Sequence, residues 1–186
     1  LSAQRLRRRY LDRFSADDNV FDECTQMIIT QVDELKNLVN EFSNFARMPA
    51  TNPAPCNLND IIEEALVLYQ EGHKEIIFNL SKDEKMPTAN LDREQLKRVM
   101  INLFENAVAA SNNQGQVEIE TSYNPELQII TFSVSDQGCG ISAEDKERLF
   151  EPYFSTKKSG TGLGLAIVST IISDHNGYIR VRNNTP

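Results

Sequence analysis

Three prolines crowded into Met48-Pro49-Ala50-Thr51-Asn52-Pro53-Ala54-Pro55 constrain this chain more than any other feature. A proline lacks the backbone N–H that a helix needs, and its ring clashes with the carbonyl four residues back, so no helix runs through such a stretch. Residues 49–56 therefore read as a short, semi-rigid linker between a segment of residues 1–48 and a larger one of residues 57–186. The hydrophobic period differs on its two sides.

Before the linker, Phe21, Cys24, Ile28, Val32, Leu35, Val39, Phe42 and Ala46 recur every three or four residues, and Leu38 and Phe45 widen the stripe. That spacing predicts one long amphipathic helix over residues 21–47 with a seam close to that of a coiled coil. The helix-favouring stretch of residues 1–13 is too short to cover the seam, and Ser15-Ala16-Asp17-Asp18-Asn19 breaks the chain after it. A second copy of the same hairpin, as in a four-helix bundle, is the expected partner; docking on the following domain alone is the plainer alternative. Arg5, Arg7, Arg8 and Arg9 read as a solvated helix face. With 27 acidic against 19 basic residues and a net charge of -8, the chain lacks the basic surface that nucleic-acid binding requires. No apolar run approaches the roughly 20 residues that span a bilayer, so no membrane contact is expected within the chain. Cys24, Cys56 and Cys139 are far apart and form no C-x-x-C, which suggests free thiols rather than a disulfide framework or zinc site.

After the linker, Asn57 caps a helix carrying Ile61, Ile62, Ala65, Leu66 and Leu68, followed by a strand at 75–80 and a short one at 88–91. Asp92, with Gln95 completing a capping box, opens a helix to Ala110. Residues 117–123 and 127–134 form a hairpin about Asn124-Pro125-Glu126. Ser142 and Asp145 start a short helix to about Phe150; residues 151–161 are a loop; 162–174 is an apolar helix; 178–181 is a last strand. This order predicts an α/β fold, a two-layer sandwich with a mixed sheet and helices on one face. It lacks the βαβ alternation of a Rossmann fold.

Three pieces of the second segment carry chemistry. Asn102 and Asn106, in Asn102-Leu103-Phe104-Glu105-Asn106-Ala107, lie four apart and share a helix face. Amide oxygens there suit a hard cation such as Mg²⁺ whose other ligands are phosphate oxygens and water; a solvated polar face is the alternative. Asp136, ending an apolar strand in Asp136-Gln137-Gly138-Cys139-Gly140, is placed to accept a hydrogen bond from an exocyclic amine such as that of adenine. Gly138 and Gly140 let backbone approach a flat base and tolerate positive φ, although a simple turn after a strand fits the same pattern. Gly160-Thr161-Gly162-Leu163-Gly164 leads into a helix N-terminus, a ready anion site. Its spacing is neither the dinucleotide G-x-G-x-x-G nor a P-loop. Lys157 and Lys158 add charge able to reach a terminal phosphate, or are plain solvated loop lysines.

With Leu149-Phe150-Glu151-Pro152-Tyr153-Phe154-Ser155-Thr156-Lys157 between the second and third pieces, the set resembles, in order, the N, G1, F and G2 boxes of two-component sensor histidine kinases over residues 92–172. The F-box wording and the Asn44-Phe45-Ala46-Arg47-Met48-Pro49 helix end are most similar to nitrogen-regulation sensors of the NtrY type. The resemblance implies that residues 57–186 are the catalytic domain, with the Bergerat-type ATP-binding sandwich shared with gyrase, MutL and Hsp-ninety-type chaperones. Residues 1–48 would be part of the helical dimerisation and phosphotransfer hairpin, giving a homodimer. It further implies that Asn106 ligates Mg²⁺, Asn102 faces the ATP phosphates, and Asp136 takes the adenine amine in a pocket shaped by Gly138, Gly140 and Ile141. Phe150 and Phe154 would anchor a lid, and Lys157, Thr161, Gly162, Leu163 and Gly164 would close on the phosphates.

The implied reaction is transfer of the γ-phosphoryl group of ATP to a histidine and then to an aspartate of a response regulator, in the cytoplasmic portion of a membrane-anchored bacterial sensor. This chain departs from the pattern in three places. Ala109 stands where a basic residue is common, and Tyr153 where phenylalanine is, a change expected to be mild. The H-E-x-x-N-P box is missing: the histidines are His73, just before a strand, and His175, at a helix end where a capping or cationic role is expected. The chain begins at Leu1 and is expected to be a fragment that starts after the histidine box and stops before a last strand. A related ATPase, which would use a carboxylate base where Asn102 stands, and a non-catalytic dimerisation module are the other readings.

Overall fold

The apolar period of residues 21–47 produces a single helix, α1 (Val20–Ala46). The computed structural model describes residues 3–5, 20–46, 49–111, 114–157 and 160–184. Most of the basic N-terminal stretch, the Ser15–Asn19 break, the Arg47–Met48 helix end, the Asn112–Asn113 turn and Lys158 lie outside these residues, as do the side chains of Phe45, Ala46 and Leu68. The chain divides into two units, one of Leu1–Met48 with Lys157–Thr161 and one of Pro49–Thr156 with Gly162–Pro186. In the first, Ile28, Val32, Leu35, Val39 and Phe42 are exposed along α1. No helix among the described residues is long and apolar enough to cross a membrane.

The second unit begins with a correction. The last residues of the proline linker form a strand, β1 (Ala54–Asn57), paired antiparallel with β3 (Thr88–Leu91). Pro55 has no N–H to give, but β1 bonds on one edge only, where proline is tolerated. Between them lie α2 (Leu58–Gln70) and β2 (Ile76–Ser81). Asn57 caps α2 through its side-chain oxygen, which accepts the Asn59 N–H at 2.9 Å. After β3 come α3 (Arg93–Ala110), β4 (Gly115–Asn124), β5 (Ile129–Asp136), α4 (Ala143–Arg148) and α5 (Gly164–Asp174).

β2, β4 and β5 form a mixed sheet: β2 runs parallel to β4, and β4 antiparallel to β5, with Val117 opposite Asp136 and Ile119 opposite Val134. Val117, Ile119 and Thr121 are buried while Gln116, Glu120 and Ser122 are exposed, the period of a sheet covered on one face. That face carries the helices. α3 is the hub, packing on α2, α5 and β5. Phe104, Met100 and Val99 of α3, Ile61 and Ile62 of α2 and Ile171 of α5 are fully buried. Phe104, Phe78 and Tyr69 form an aromatic cluster, and His73 stacks flat on Tyr69 with ring centroids 4.3 Å apart. Burial pushes the Tyr69 phenol up to about 12, helped by the Glu105 carboxylate.

Further expectations are corrected. Residues 178–184 belong to no ladder. A strand exists only through a partner's backbone, and here the contacts are made by side chains: Asn183 bonds Ile141, and Asn184 bonds Asp136. The capping box at α3 is half formed. Asp92 Oδ1 accepts the Gln95 N–H at 3.0 Å, but the Gln95 side chain turns to the linker, donating to the Pro49 carbonyl and accepting from Thr51. The Asp92 N–H goes instead to His175 Nε2 at 2.9 Å, and His175 Nδ1 lies 2.8 Å from the Ile171 carbonyl. One ring nitrogen faces a donor and the other an acceptor, and of the two roles expected for His175 it fills the capping one, closing α5 with its backbone N–H on the Ile171 and Ile172 carbonyls. The α5 helix also starts two residues later than expected, because Gly162 has φ +71° and cannot be helical.

Asp92 Oδ2 accepts the Asn52 N–H at 2.8 Å, tying the linker to α3. Burial raises the Asp92 carboxyl, but the Asn52 and Gln95 N–H groups outweigh it and hold the group below its ordinary value. A depressed folded value means stabilisation that is present above the usual carboxylate range and is lost as pH falls through the folded value. Asp92→Ala is therefore expected to lower stability by about 1–2 kcal/mol at neutral pH. It should also flatten the acid side of the melting-temperature profile, which scanning calorimetry from pH 7 to pH 3 reads directly.

Candidate functional site

α3 positions the site. Its buried stripe fixes the helix on the sheet and leaves Asn102 and Asn106 half-buried, one turn apart. The Asn102 side-chain amide donates to the Arg98 carbonyl at 2.8 Å, which turns its Oδ1 outward. That oxygen lies where α5 begins: a Cβ on Gly164 would sit 2.8 Å from it. A Cβ at Gly164 would displace the end of the Asn102 side chain from this place. The Leu163 side chain makes no cap bond to α5, and the helix start lies beside the Asn102 oxygen.

Two turns further along α3, Ala110 touches the loop after β5. A Cβ on Gly138 would lie 2.6 Å from the Ala110 backbone, so Gly138 is needed for helix contact. The positive φ of this loop belongs to Gly140, at +72°. Asp136, last residue of β5, uses Oδ1 to accept the Gly138 N–H at 2.8 Å; its Oδ2 has no hydrogen-bond partner among the described residues. Ile141 is held by Asn183 at both its N–H and its carbonyl.

The stems of the following loop cross tightly. The Tyr153 N–H donates to the Gly162 carbonyl at 3.0 Å, and a Cβ on Gly162 would come within 2.5 Å of the Tyr153 carbonyl carbon. Tyr153 itself has φ +68°, a conformation unusual for a bulky side chain. Phe154 lies under the Arg148 guanidinium, 4.5 Å from the ring centroid, and Arg148 also pairs with Glu151. Phe150 is half-buried. Leu163 is fully buried, so its backbone is what remains to face a ligand. Lys157 and Thr161 belong to the unit that contains α1, where Gly160 N–H closes a turn on the Lys157 carbonyl at 3.3 Å.

Asn102, Asn106, Asp136, Gly138, Gly140, Ile141, Phe150, Phe154, Gly162, Leu163 and Gly164 all belong to the second unit, where α3 meets Gly164 at Asn102 and Gly138 at Ala110. Arg148, Ala110, Asn183 and Asn184 had no sequence signal, because each acts through a contact distant in the chain or through a loop bend. Among the described residues no cluster of three or more His, Cys, Asp or Glu could hold a metal. The amides of Asn102 and Asn106 instead supply one or two neutral oxygens, the donor set of a Mg²⁺ site completed by phosphate and water.

Residues 91–186 match the family described as "Histidine kinase-, DNA gyrase B-, and HSP90-like ATPase". The chain is 37% identical to nitrogen regulation protein NtrY of Azorhizobium caulinodans over 100% of its own length and 24% of that protein's. It is thus similar to about a quarter of that relative. Among solved structures, the catalytic domain of histidine kinase ThkA is 35% identical with a TM-score of 0.59, over 66% of this chain and 81% of that one. Full-length ShkA in complex with AMPPNP is 27% identical with a TM-score of 0.68, over 83% of this chain and 34% of that one. ThkA in complex with response regulator protein TrrA is 28% identical with a TM-score of 0.67, over 88% of this chain and 46% of that one.

Proposed function

Since the chain belongs to the histidine kinase-, DNA gyrase B- and HSP90-like ATPase family, on its sensor histidine kinase branch, we propose that its second unit binds Mg²⁺-ATP as the kinase core of a two-component sensor. The observation that carries this is the start of α5: a helix N-terminus without a side-chain cap, against the Asn102 amide, with the Asp136 loop two turns along the same helix. A triphosphate fits the helix end, where aligned N–H groups favour anions. The adenine amine fits the carboxylate of Asp136. Asn106, with Asn102 beside it, would hold Mg²⁺, which when bound neutralises charge on the phosphate oxygens and keeps them in line for transfer. Gly162 and Gly164 let backbone close on the phosphates, and Phe150 and Phe154 anchor the lid. An amide at Asn102 has no basic site, so the chain positions the group for transfer and does not activate water.

In the whole protein the γ-phosphoryl group would pass to a histidine of the helical hairpin and then to an aspartate of a response regulator. Homodimerisation rests on the exposed seam of α1, a long apolar stripe of the kind that pairs with a second copy. Neither histidine of this chain serves as acceptor. His73 is stacked on Tyr69 and bonded to its carbonyl, and both nitrogens of His175 are engaged.

Calorimetry with Mg²⁺-ATP tests the site: the chain should bind, and Asn106→Asp should abolish binding by setting a carboxylate against the phosphates. Unchanged affinity in that variant sinks the assignment. Incubation with γ-labelled ATP should leave the chain unlabelled, whereas acid-labile label on His73 or His175 would overturn the account of its histidines.

A further inference from the structure

The segment that follows α5 was expected to be a strand, yet two of its side chains hydrogen-bond the loop that carries Asp136. Asn183 Oδ1 accepts the Ile141 N–H at 3.1 Å, and Asn183 Nδ2 donates to the Ile141 carbonyl at 3.0 Å. Only one orientation of the amide satisfies both bonds, since the N–H needs an oxygen and the carbonyl needs an NH₂. The pair reproduces the two-bond exchange of an antiparallel rung, with a side-chain amide in place of a peptide. The next residue, Asn184, donates from Nδ2 to the Asp136 carbonyl at 2.9 Å. Residues 136 and 141 are thus held at the two ends of the loop by consecutive asparagines some forty residues on in the chain.

Within the loop, the Asp136 carboxylate accepts the Gly138 N–H, and Gly138 is wedged against Ala110. Gly140 takes φ +72°, and a Cβ there would meet the Asn183 amide at 3.6–3.7 Å. Gly140 is the most permissive point of the loop, and it is the point that Asn183 covers. An exposed loop with a glycine at positive φ has many conformations to lose when a ligand orders it. A clamp that removes them beforehand improves affinity without touching the ligand.

We propose that Asn183, assisted by Asn184, is a positioning residue for the adenine end of the nucleotide. It fixes the Asp136–Ile141 loop in its binding conformation through the Ile141 backbone. The proposal rests on the nucleotide reading of the Asp136 loop given above. Its action is assigned to the base end, because its two hydrogen bonds are both to Ile141, at the end of the Asp136 loop.

The test compares wild type, Asn183→Ala and Asn183→Asp by calorimetry with Mg²⁺-ATP, Mg²⁺-ADP and Mg²⁺-tripolyphosphate, together with hydrogen exchange of the Ile141 amide in the ligand-free protein. Asn183→Ala is expected to weaken ATP and ADP alike by about tenfold, the equivalent of about 1.4 kcal/mol. Tripolyphosphate binding should stay as in wild type, and the Ile141 amide should exchange faster. Asn183→Asp keeps the acceptor for the Ile141 N–H but faces the carbonyl with an oxygen, so its affinity should fall between the two. Equal loss for ATP and tripolyphosphate would mark a general structural role and overturn the proposal, as would unchanged ATP affinity. If Asn183→Ala does not fold, Asn184→Ala is measured in its place, with the same outcomes on a smaller scale. A wild-type chain that binds no ATP overturns the nucleotide reading itself; a wild type that binds, with variants that bind equally, overturns only the role of Asn183.

Discussion

Asp136→Ala is expected to weaken ATP binding by roughly a hundredfold, because a hydrogen bond to a charged acceptor contributes about 1.5–3 kcal/mol. Asp136 Oδ1 is engaged by the Gly138 N–H, while Oδ2 has no such partner among the described residues. A carboxylate offers acceptors on both sides, so it can hold its own turn and still receive an amine. Asp136→Asn separates the two functions. An asparagine has one oxygen and one NH₂; if the oxygen keeps the turn, the NH₂ meets the amine donor to donor, and if it flips, the turn is lost. This variant should therefore bind ATP nearly as poorly as alanine while melting close to wild type. Calorimetry showing Asp136→Asn at wild-type affinity would reduce Asp136 to a turn residue and remove the base contact.

Gly162→Ala should produce the largest loss of stability from a single added methyl group, about 2–4 kcal/mol. Its Cβ would lie 2.5 Å from the Tyr153 carbonyl carbon and 2.7 Å from both the nitrogen and the oxygen of Phe154. These are backbone atoms, which cannot swing aside as a side chain can. Overpacking of this kind costs about 1–3 kcal/mol. A residue with a Cβ at φ +71° adds about 1–2 kcal/mol. Separation of the stems would also break the bond from the Tyr153 N–H to the Gly162 carbonyl. Urea unfolding measures the change, and a midpoint within error of wild type would show that the stems do not cross this closely in solution. Asn102→Ala is the control for the same region, since it removes an amide and adds no clash.

These two sites differ in how much of them could be read in advance. Asp136 was legible from its place at the end of an alternating apolar strand, because strand period and turn residues are local. The caps at Asn57, Asp92 and Ser142 were legible for the same reason: each bonds an N–H two or three residues on. The reasons for the glycines were not. Gly138, Gly162 and Gly164 each also come close to another part of the chain, namely Ala110, the Tyr153–Phe154 backbone and Asn102, and none of these neighbours shows in the sequence. A glycine in a sequence says that something comes close, but not what. β1 was missed because three prolines hide a strand whose existence depends on β3, more than thirty residues away. His175 was legible as a helix cap but not as the partner of Asp92, because the donor that meets its Nε2 lies 83 residues earlier.

The sequence by itself determined the helices and their caps, the hairpin, the long exposed seam and the order of motifs that marks the family, all of which depend on neighbours within a few residues. Only the tertiary structure decided which partner each special residue has: Asn102 with the start of α5, Gly138 with Ala110, Asp92 with His175, and Asn183 with Ile141. The physical reason is that hydrogen bonds and close packing act over a few ångströms in space, and the fold alone sets which distant residues come within that range.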